Sequence, residues 1–413
     1  MNFNEYHINL SRFGSENVNV TTDSDLSAEM RTFYSDYLID NASPKLVHDQ
    51  FGQKQSVAKN GGKTVQFRKY SPLPKATTPL TEGVTPSGRK LNVSGETADI
   101  AQYGDYVELS DMLILTAIDN NIVQATKLLG AQAGATLDTI VREVINGGTN
   151  VQYADDTVPA RHLLVGGKEE GNDYLTVSMI KRAARKLKTM NAEKIDGAYV
   201  AIIHPDVAYD LMRDPDWISA SEYAGSCNIF EGEIGKIAGV RFVETTEAKI
   251  FDAAPLTKGA TPITVKTEVT NNTSTITVNG IANAQEASAL IGRSILINST
   301  PNTVLEAIYN ASGSTVVLGK LVSNVPANTP IYPGEAGAEG RAVYSTLVLG
   351  ENAYGTTEIE GGGLTHITKQ LGSAGSGDPL NQRATVGWKA TKAAKRLVEG
   401  YMVRIETTST FNG

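Results

Sequence analysis

The chain reads as an α+β protein, an elongated subunit with a projecting loop and a small β-rich domain inserted into its host fold. Three observations predict this. Residues 110–146 carry apolar side chains at helical spacing over a longer run than a compact domain needs. Residues 51–109 alternate like paired strands around a stretch holding Pro72, Pro74, Pro79 and Pro86. Residues 252–341 change texture to short, Thr- and Asn-rich alternating runs.

In the first of these, Leu115, Ile118, Ile122, Ala125, Leu129, Ala133, Leu137, Ile140 and Val144 recur every three or four residues. That spacing predicts one amphipathic helix. At 1.5 Å per residue it would span about 50 Å. Ser110 and Asp111 supply N-cap chemistry, and Gly147-Gly148 supplies the stop. A coiled coil or a buried core helix would give a similar stripe; this run lacks the strict heptad and charged flanks of a zipper. A helix this long among short segments points to a subunit that works inside an assembly.

In the second, Gly61-Gly62 separates QKQSVAK from KTVQFRKY, which predicts a hairpin at the glycines. The four prolines exclude helix and central strand from the stretch that follows. LNVSGETADIAQYGDYVELSD then returns with strand-like alternation. A ribbon of two strands exposes too much backbone to be stable alone, so it needs a surface to lie on.

The remaining elements are shorter. The first 25 residues are polar and predict a flexible arm. Residues 26–41 place Met30, Phe33, Tyr34, Tyr37 and Leu38 at helical spacing, with Ser27 as cap. Residues 174–190 predict a basic amphipathic helix with Leu175, Ile180, Ala183, Ala184 and Leu187 inward. Strands follow at 198–204 and 237–245, with a helix between them that opens on Pro205. In the β-rich block, PITVKTEVTNNTSTITVNGI predicts a hairpin around Asn271-Asn272. SILINST, TVLEAIYN and STVVLGK are further strands, and 282–292 is a short helix. AVYSTLVLG at 342–350 resumes the host sheet, and YMVRIETT is the final strand.

Composition narrows the function classes. The 413 residues suffice for two or three domains. No run of 18 apolar residues occurs, so no membrane-spanning helix is expected. The polar, acidic N-terminus has no signal-peptide pattern. One cysteine, Cys227, excludes an internal disulfide and a cysteine-rich zinc site. The net charge of −8 is strongly segregated. Residues 1–50 hold eight acids against three bases, a net −5; residues 51–90 hold eight bases against Glu82, a net +7. Such a segment binds nucleic acid, docks on acidic surfaces of neighbouring copies, or is simply a solvated loop. It has few aromatics and no nucleic-acid-binding motif, which favours docking. The candidate intersubunit contacts are Lys63, Arg68, Lys69, Lys75, Arg89 and Lys90.

Catalytic chemistry is sparse. Asn60-Gly61-Gly62-Lys63-Thr64 resembles the end of a phosphate-binding loop, but the earlier glycine is replaced by Val57. Gly361-Gly362-Gly363 lacks the spacing of a dinucleotide site. His204 with Asp206, Asp210, Asp214 and Asp216 invites a metal reading; a helix N-terminus with solvated carboxylates explains the same residues. His7, His48, His162 and His366 have no ligand spacing, and Cys227 has no histidine beside it. No catalytic, cofactor or metal site is expected.

Larger blocks carry a family resemblance. KNGGKTVQFRKYSPLPKATTPLTEGVTP (59–86), QYGDYVELSDML (102–113), AIDNNIVQATKLLGAQAG (117–134), YVAIIHPDVAYDLMRDPDW (199–217), GEIGKIAGVRFVET (232–245), VYSTLVLGENAYG (343–355) and DPLNQRATVGWKATKAAKRLVEGYMVRIE (378–406) resemble the N-four-type family of tailed-phage major capsid proteins. The resemblance implies the Hong Kong 97-like coat-protein fold and a structural, non-enzymatic role in an icosahedral head. It divides the chain into an N-terminal arm and helix (1–50), an extended β-hairpin loop (51–109) and a peripheral domain with the spine helix (110–170). The axial domain would take 171–251 and 342–376, and 377–413 would return to the peripheral domain. Residues 252–341 depart from the compact family pattern as the inserted β-rich domain. The partners implied are further copies in hexamers and pentamers, a portal protein, scaffolding or decoration proteins, and double-stranded DNA on the inner face. The implied location is the virion, with the host cytoplasm before assembly. A surface-layer or adhesin-type protein, and a hydrolase built on the His204 region, are the competing classes.

Overall fold

A computed structural model describes residues 46–411 apart from 57–61, 117–120, 155–157, 166–172, 225–234, 253–255, 257–261, 359–363, 374–379 and single or paired positions at 71–72, 74, 81, 84, 86–87, 92 and 299. The expected arm and the helix at 26–41 therefore lie outside the described residues.

Apolar runs without alternation mark strands covered on both faces. Tyr199–Ile203 is such a run, Val343–Leu349 is one interrupted by Ser345 and Thr346, and every residue in both is buried. They lie at the centre of a mixed sheet ordered Val151–Tyr153, Met402–Thr407, Val343–Leu349, Tyr199–Ile203, Val240–Glu244, Lys236–Ile237, with Ile250–Phe251 also pairing to Val343–Leu349. One face carries Tyr199, Ala201, Ile203, Val348, Val403 and Ile405 against the helix Val177–Thr189, whose Ile180, Ala183, Ala184 and Leu187 point inward as expected. The opposite face carries Val200, Ile202, Leu347, Leu349 and Met402 against Val141 and Ile145 of the helix Asn121–Asn146.

That 26-residue helix is the spine of the molecule, about 39 Å long. Its middle packs Leu129, Ala133 and Leu137 on Leu364, Val386, Trp388 and Ala390. These belong to a second sheet, of strands Leu364–Lys369, Arg383–Lys392 and Ala101–Ser110. The spine thus joins two sheets. The change of partner rotates its buried face, so Val141 and Ile145 take the positions expected for Ile140 and Val144, which are only half-buried. Before residues 117–120, which lie outside the described residues, Asp111–Thr116 is also helical, capped where Ser110 Oγ accepts from the Leu113 N–H at 3.2 Å. Leu115 on it is 78% exposed, so it does not belong to the buried stripe. At the far end the Gly147 N–H returns to the Glu143 carbonyl at 3.0 Å, as the glycine stop predicts.

The projecting ribbon forms from Thr64–Tyr70 and Val93–Asp99, antiparallel from Thr64↔Asp99 to Tyr70↔Val93. The proline-bearing stretch connects them. The turn expected at Gly61-Gly62 falls largely outside the described residues; before it, Gln53–Gln55 pairs not with Thr64–Tyr70 but in parallel with Tyr354–Thr357, which in turn pairs with Ala394–Arg396.

Residues 263–333 fold as a six-stranded sheet with its own core of Ile276, Val278, Leu290, Ile295, Val304, Val316 and Leu318. Thr264–Val265 pairs with Val278–Asn279, which centres the turn on Asn271-Asn272 as expected. Phe251 and Val343, which flank this block on either side, are directly paired. A host contact remains at the block's end, where the Ala338 N–H donates to the Leu164 carbonyl at 3.0 Å.

The C-terminal segment differs from expectation. Arg383–Lys392 is the strand that lies on the spine helix, beside Leu364–Lys369. The last strand, Met402–Thr407, instead enters the large sheet between Val151–Tyr153 and Val343–Leu349. Its alternation buries both faces, which a strand at the rim of the smaller sheet would not do.

Candidate assembly surface

The ribbon is rooted by its own alternation. Val65, Phe67 and Ala98 turn inward onto Ala393, and Phe67 is 1% exposed. Gly355 lies beneath the Phe67 ring, where a Cβ would overlap it. Residues between the inward positions must then face water. Lys63, Arg68, Lys75, Arg89 and Lys90 are all exposed; Lys69 lies on the same strand, its side chain outside the described residues. None of those five forms an ion pair among the described residues. The returning side has the opposite sign. Residues 91–110 hold Glu96, Asp99, Asp105 and Glu108, all exposed, and no base. One ribbon therefore carries unneutralised positive charge outward and negative charge back.

Beside the ribbon, the face of the smaller sheet turned away from the spine is open. It forms a groove of about 700 Å³. Tyr106, 63% exposed, lies beside Gly387, where a Cβ would come within 2.7 Å of the Tyr106 Cβ. Ile367, Lys369, Arg383 and Lys389 line the rest. Gln132 fixes the sheet to the spine: it accepts from Trp388 Nε1 at 3.2 Å and donates to Asp105 Oδ2 at 2.6 Å. The Gln132 amide, then the Tyr106 N–H, hold the Asp105 carboxyl below its ordinary value.

Sequence reasoning missed a buried polar hub that anchors the root of the loop. The His48 N–H and ring Nδ1 bond both oxygens of Asp138 on the spine, at 2.7 and 2.6 Å. Tyr354 donates its hydroxyl to the His48 carbonyl. Asp49 accepts from Thr356 Oγ1 at 2.7 Å and from Lys392 Nζ, which also donates to the Thr357 carbonyl at 2.9 Å. Burial pushes Lys392 below its ordinary value against the pull of Asp49, and pushes Tyr354 well up. His48 and Asp138 are 90 residues apart, so no spacing pattern joins them. One signal was present: Asp138 lies between Leu137 and Val141, both of which are on the buried face of the spine helix.

The metal reading of the His204 region is replaced by individual partners. His204 Nδ1 accepts from the Asp206 N–H at 3.2 Å, and Tyr344 donates to Asp206 Oδ2 at 2.7 Å. Asp210 accepts from Thr410, Asp214 from the Val177 N–H, and Asp216 pairs with Lys181. Burial lowers the His204 pKa, with Asp206 pulling the other way. Among the described residues no cluster of three metal-ligating side chains occurs. Cys227, His7 and Gly361-Gly362-Gly363 lie outside the described residues.

No curated protein sequence matches the chain. Among solved structures it is similar to the capsid of the cyanophage P-SCSP1u, with a TM-score of 0.50 at 13% identity over 88% of each chain. The capsid of Ralstonia phage GP4 gives 0.49 at 14% identity over 88% of each. The cyanophage Pam1 capsid gives 0.49 at 14%, covering 89% of this chain and 92% of that one. Residues 95–243 match the family model of phage capsid proteins, a span that holds the returning strand of the ribbon, the spine and the strands Tyr199–Ile203 and Val240–Glu244. The family match lies on those elements, and the chain shares its fold with the cyanophage capsid.

Proposed function

We propose that the chain is the major capsid protein of a tailed phage of the N-four type, closing as hexamers and pentamers into an icosahedral head around double-stranded DNA. The observation that carries this reading is the charged ribbon. Its root is packed into the body, while Lys63, Arg68, Lys75, Arg89 and Lys90 are exposed and, among the described residues, without ion-pair partners. Neighbouring copies supply the acidic surface: residues 1–50 carry net −5, and the returning strands carry four exposed acids. The Hong Kong 97-like parts map onto the elements: the ribbon is the extended loop, the spine with the smaller sheet is the peripheral domain, and the larger sheet is the axial domain. A portal protein, scaffolding or decoration proteins, and DNA held non-specifically on the inner face complete the particle. Negative-stain imaging of the purified chain tests this. Closed shells or hexamers are expected; flat sheets would favour a surface-layer protein, and monodisperse single subunits under all assembly conditions would sink the proposal.

The block at 252–341 is proposed as a separate domain on the outer face. It is nearly neutral, with five bases against six acids, whereas a surface facing DNA would be basic. Its core is its own, and its ends meet in one strand pair. Replacing residues 256–333 with a short Gly/Ser linker, sparing the host contact at Ala338, is expected to leave a folded subunit. The measurement is a cooperative thermal melt of the shortened chain. Loss of the melt would place the block in the common core.

A further inference from the structure

The hub beneath the loop holds an amine and a carboxyl in contact, sealed from water. The Lys392 side chain is 0% exposed and that of Asp49 is 4% exposed. Lys392 Nζ touches Asp49 Oδ1 and is oriented by the Thr357 carbonyl at 2.9 Å. The Thr356 hydroxyl donates to the same carboxylate oxygen at 2.7 Å. On the other oxygen, Oδ2, lies the half-exposed ammonium of Lys54 at 3.9 Å. The fully buried ring of Tyr354 and the buried Asp138 complete the surroundings.

We propose that Lys392 and Asp49 join as an intramolecular isopeptide bond, a covalent staple between the root of the projecting loop and the strand that lies on the spine helix. In a buried ion pair both charges are costly, so transfer of one proton from ammonium to carboxylate is favoured by the low-dielectric site. Burial acts on Lys392 in that direction. The neutral amine then attacks the Asp49 carboxyl carbon. A C–N bond forms, and the Thr356 hydroxyl steadies the charge that gathers on Oδ1. The C–Oδ2 bond breaks, and Oδ2 leaves as water. Both protons it carries away come from the original Lys392 ammonium; Lys54 relays at the solvent side and ends as it began. Atoms and charge balance with no oxidant or co-reactant. The two residues are 343 positions apart, so one bond would close nearly the whole described chain into a ring.

The test is the intact mass of the denatured full-length chain, with a tryptic digest. The expected mass is lower than that of the sequence by one water, with a branched peptide joining the Asp49 and Lys392 fragments. Lys392→Arg, which keeps the charge, and Thr356→Val give a second reading: the first is expected to restore the full sequence mass, the second to leave most of the chain unlinked. A wild-type chain at full sequence mass, cleaved normally after Lys392, would overturn the proposal. So would a one-water loss with only linear peptides, since a cyclised aspartate elsewhere gives that result. Neither readout depends on shell formation, so this staple and the capsid reading fail separately.

Discussion

Leu129→Asp is expected to leave no folded subunit. Leu129 is 3% exposed and packs in the cluster that joins the spine to Leu364, Val386, Trp388 and Ala390. A carboxylate there has no cation in that cluster, and an isolated buried charge costs far more than a domain's net stability. Leu129→Ala removes the contacts without adding a charge, and is expected to cost about 2–5 kcal/mol. Circular dichroism and a thermal melt of the soluble fraction separate the two. A cooperative melt for Leu129→Asp would mean that the helix does not pack on this sheet.

The second large effect concerns assembly rather than folding. Replacing Lys63, Arg68, Lys69 and Lys75 with glutamate changes residues 51–90 from +7 to −1. The exposed members of this set lie outside every core cluster, so each should alter subunit stability by no more than about 0.5 kcal/mol. Shell formation, however, is expected to be lost, because like charges would face each other at the docking surface. The readout is sedimentation or electron microscopy beside an unchanged melt. Raised salt should weaken assembly of the wild type, since exposed charges are screened beyond about 8–10 Å near physiological ionic strength. Shells at normal yield would remove the ribbon's charge from the mechanism.

Much of this architecture was legible in the residues. Helical spacing located the spine, short unalternated runs located Tyr199–Ile203 and Val343–Leu349, and strand alternation located most strands of the β-rich block. These are places where local pattern and tertiary packing agree. The failures share one cause, which is a partner distant in sequence. Gly61-Gly62 is a sound turn signal, but Gln53–Gln55 before it pairs with Tyr354–Thr357, some 300 residues on. Ile140 and Val144 continue the apolar period, but the spine changes sheets near Val141. The final strand alternates as any strand would, and nothing local tells which of two sheets receives it. The buried hub lay furthest from view, because it is made of contacts between residues 48–49 and positions 138, 354 and 392.

The direct pairing of Phe251 with Val343 has a consequence for the history and the use of this protein. The frame of the subunit is closed at that point whether or not anything hangs from it. Material can then be lengthened, exchanged or lost between those two residues while the register of the central strand stays fixed. The site is a natural graft junction. A foreign domain whose own termini lie one strand spacing apart, about 5 Å, should be accepted there provided the Ala338 contact to Leu164 is kept.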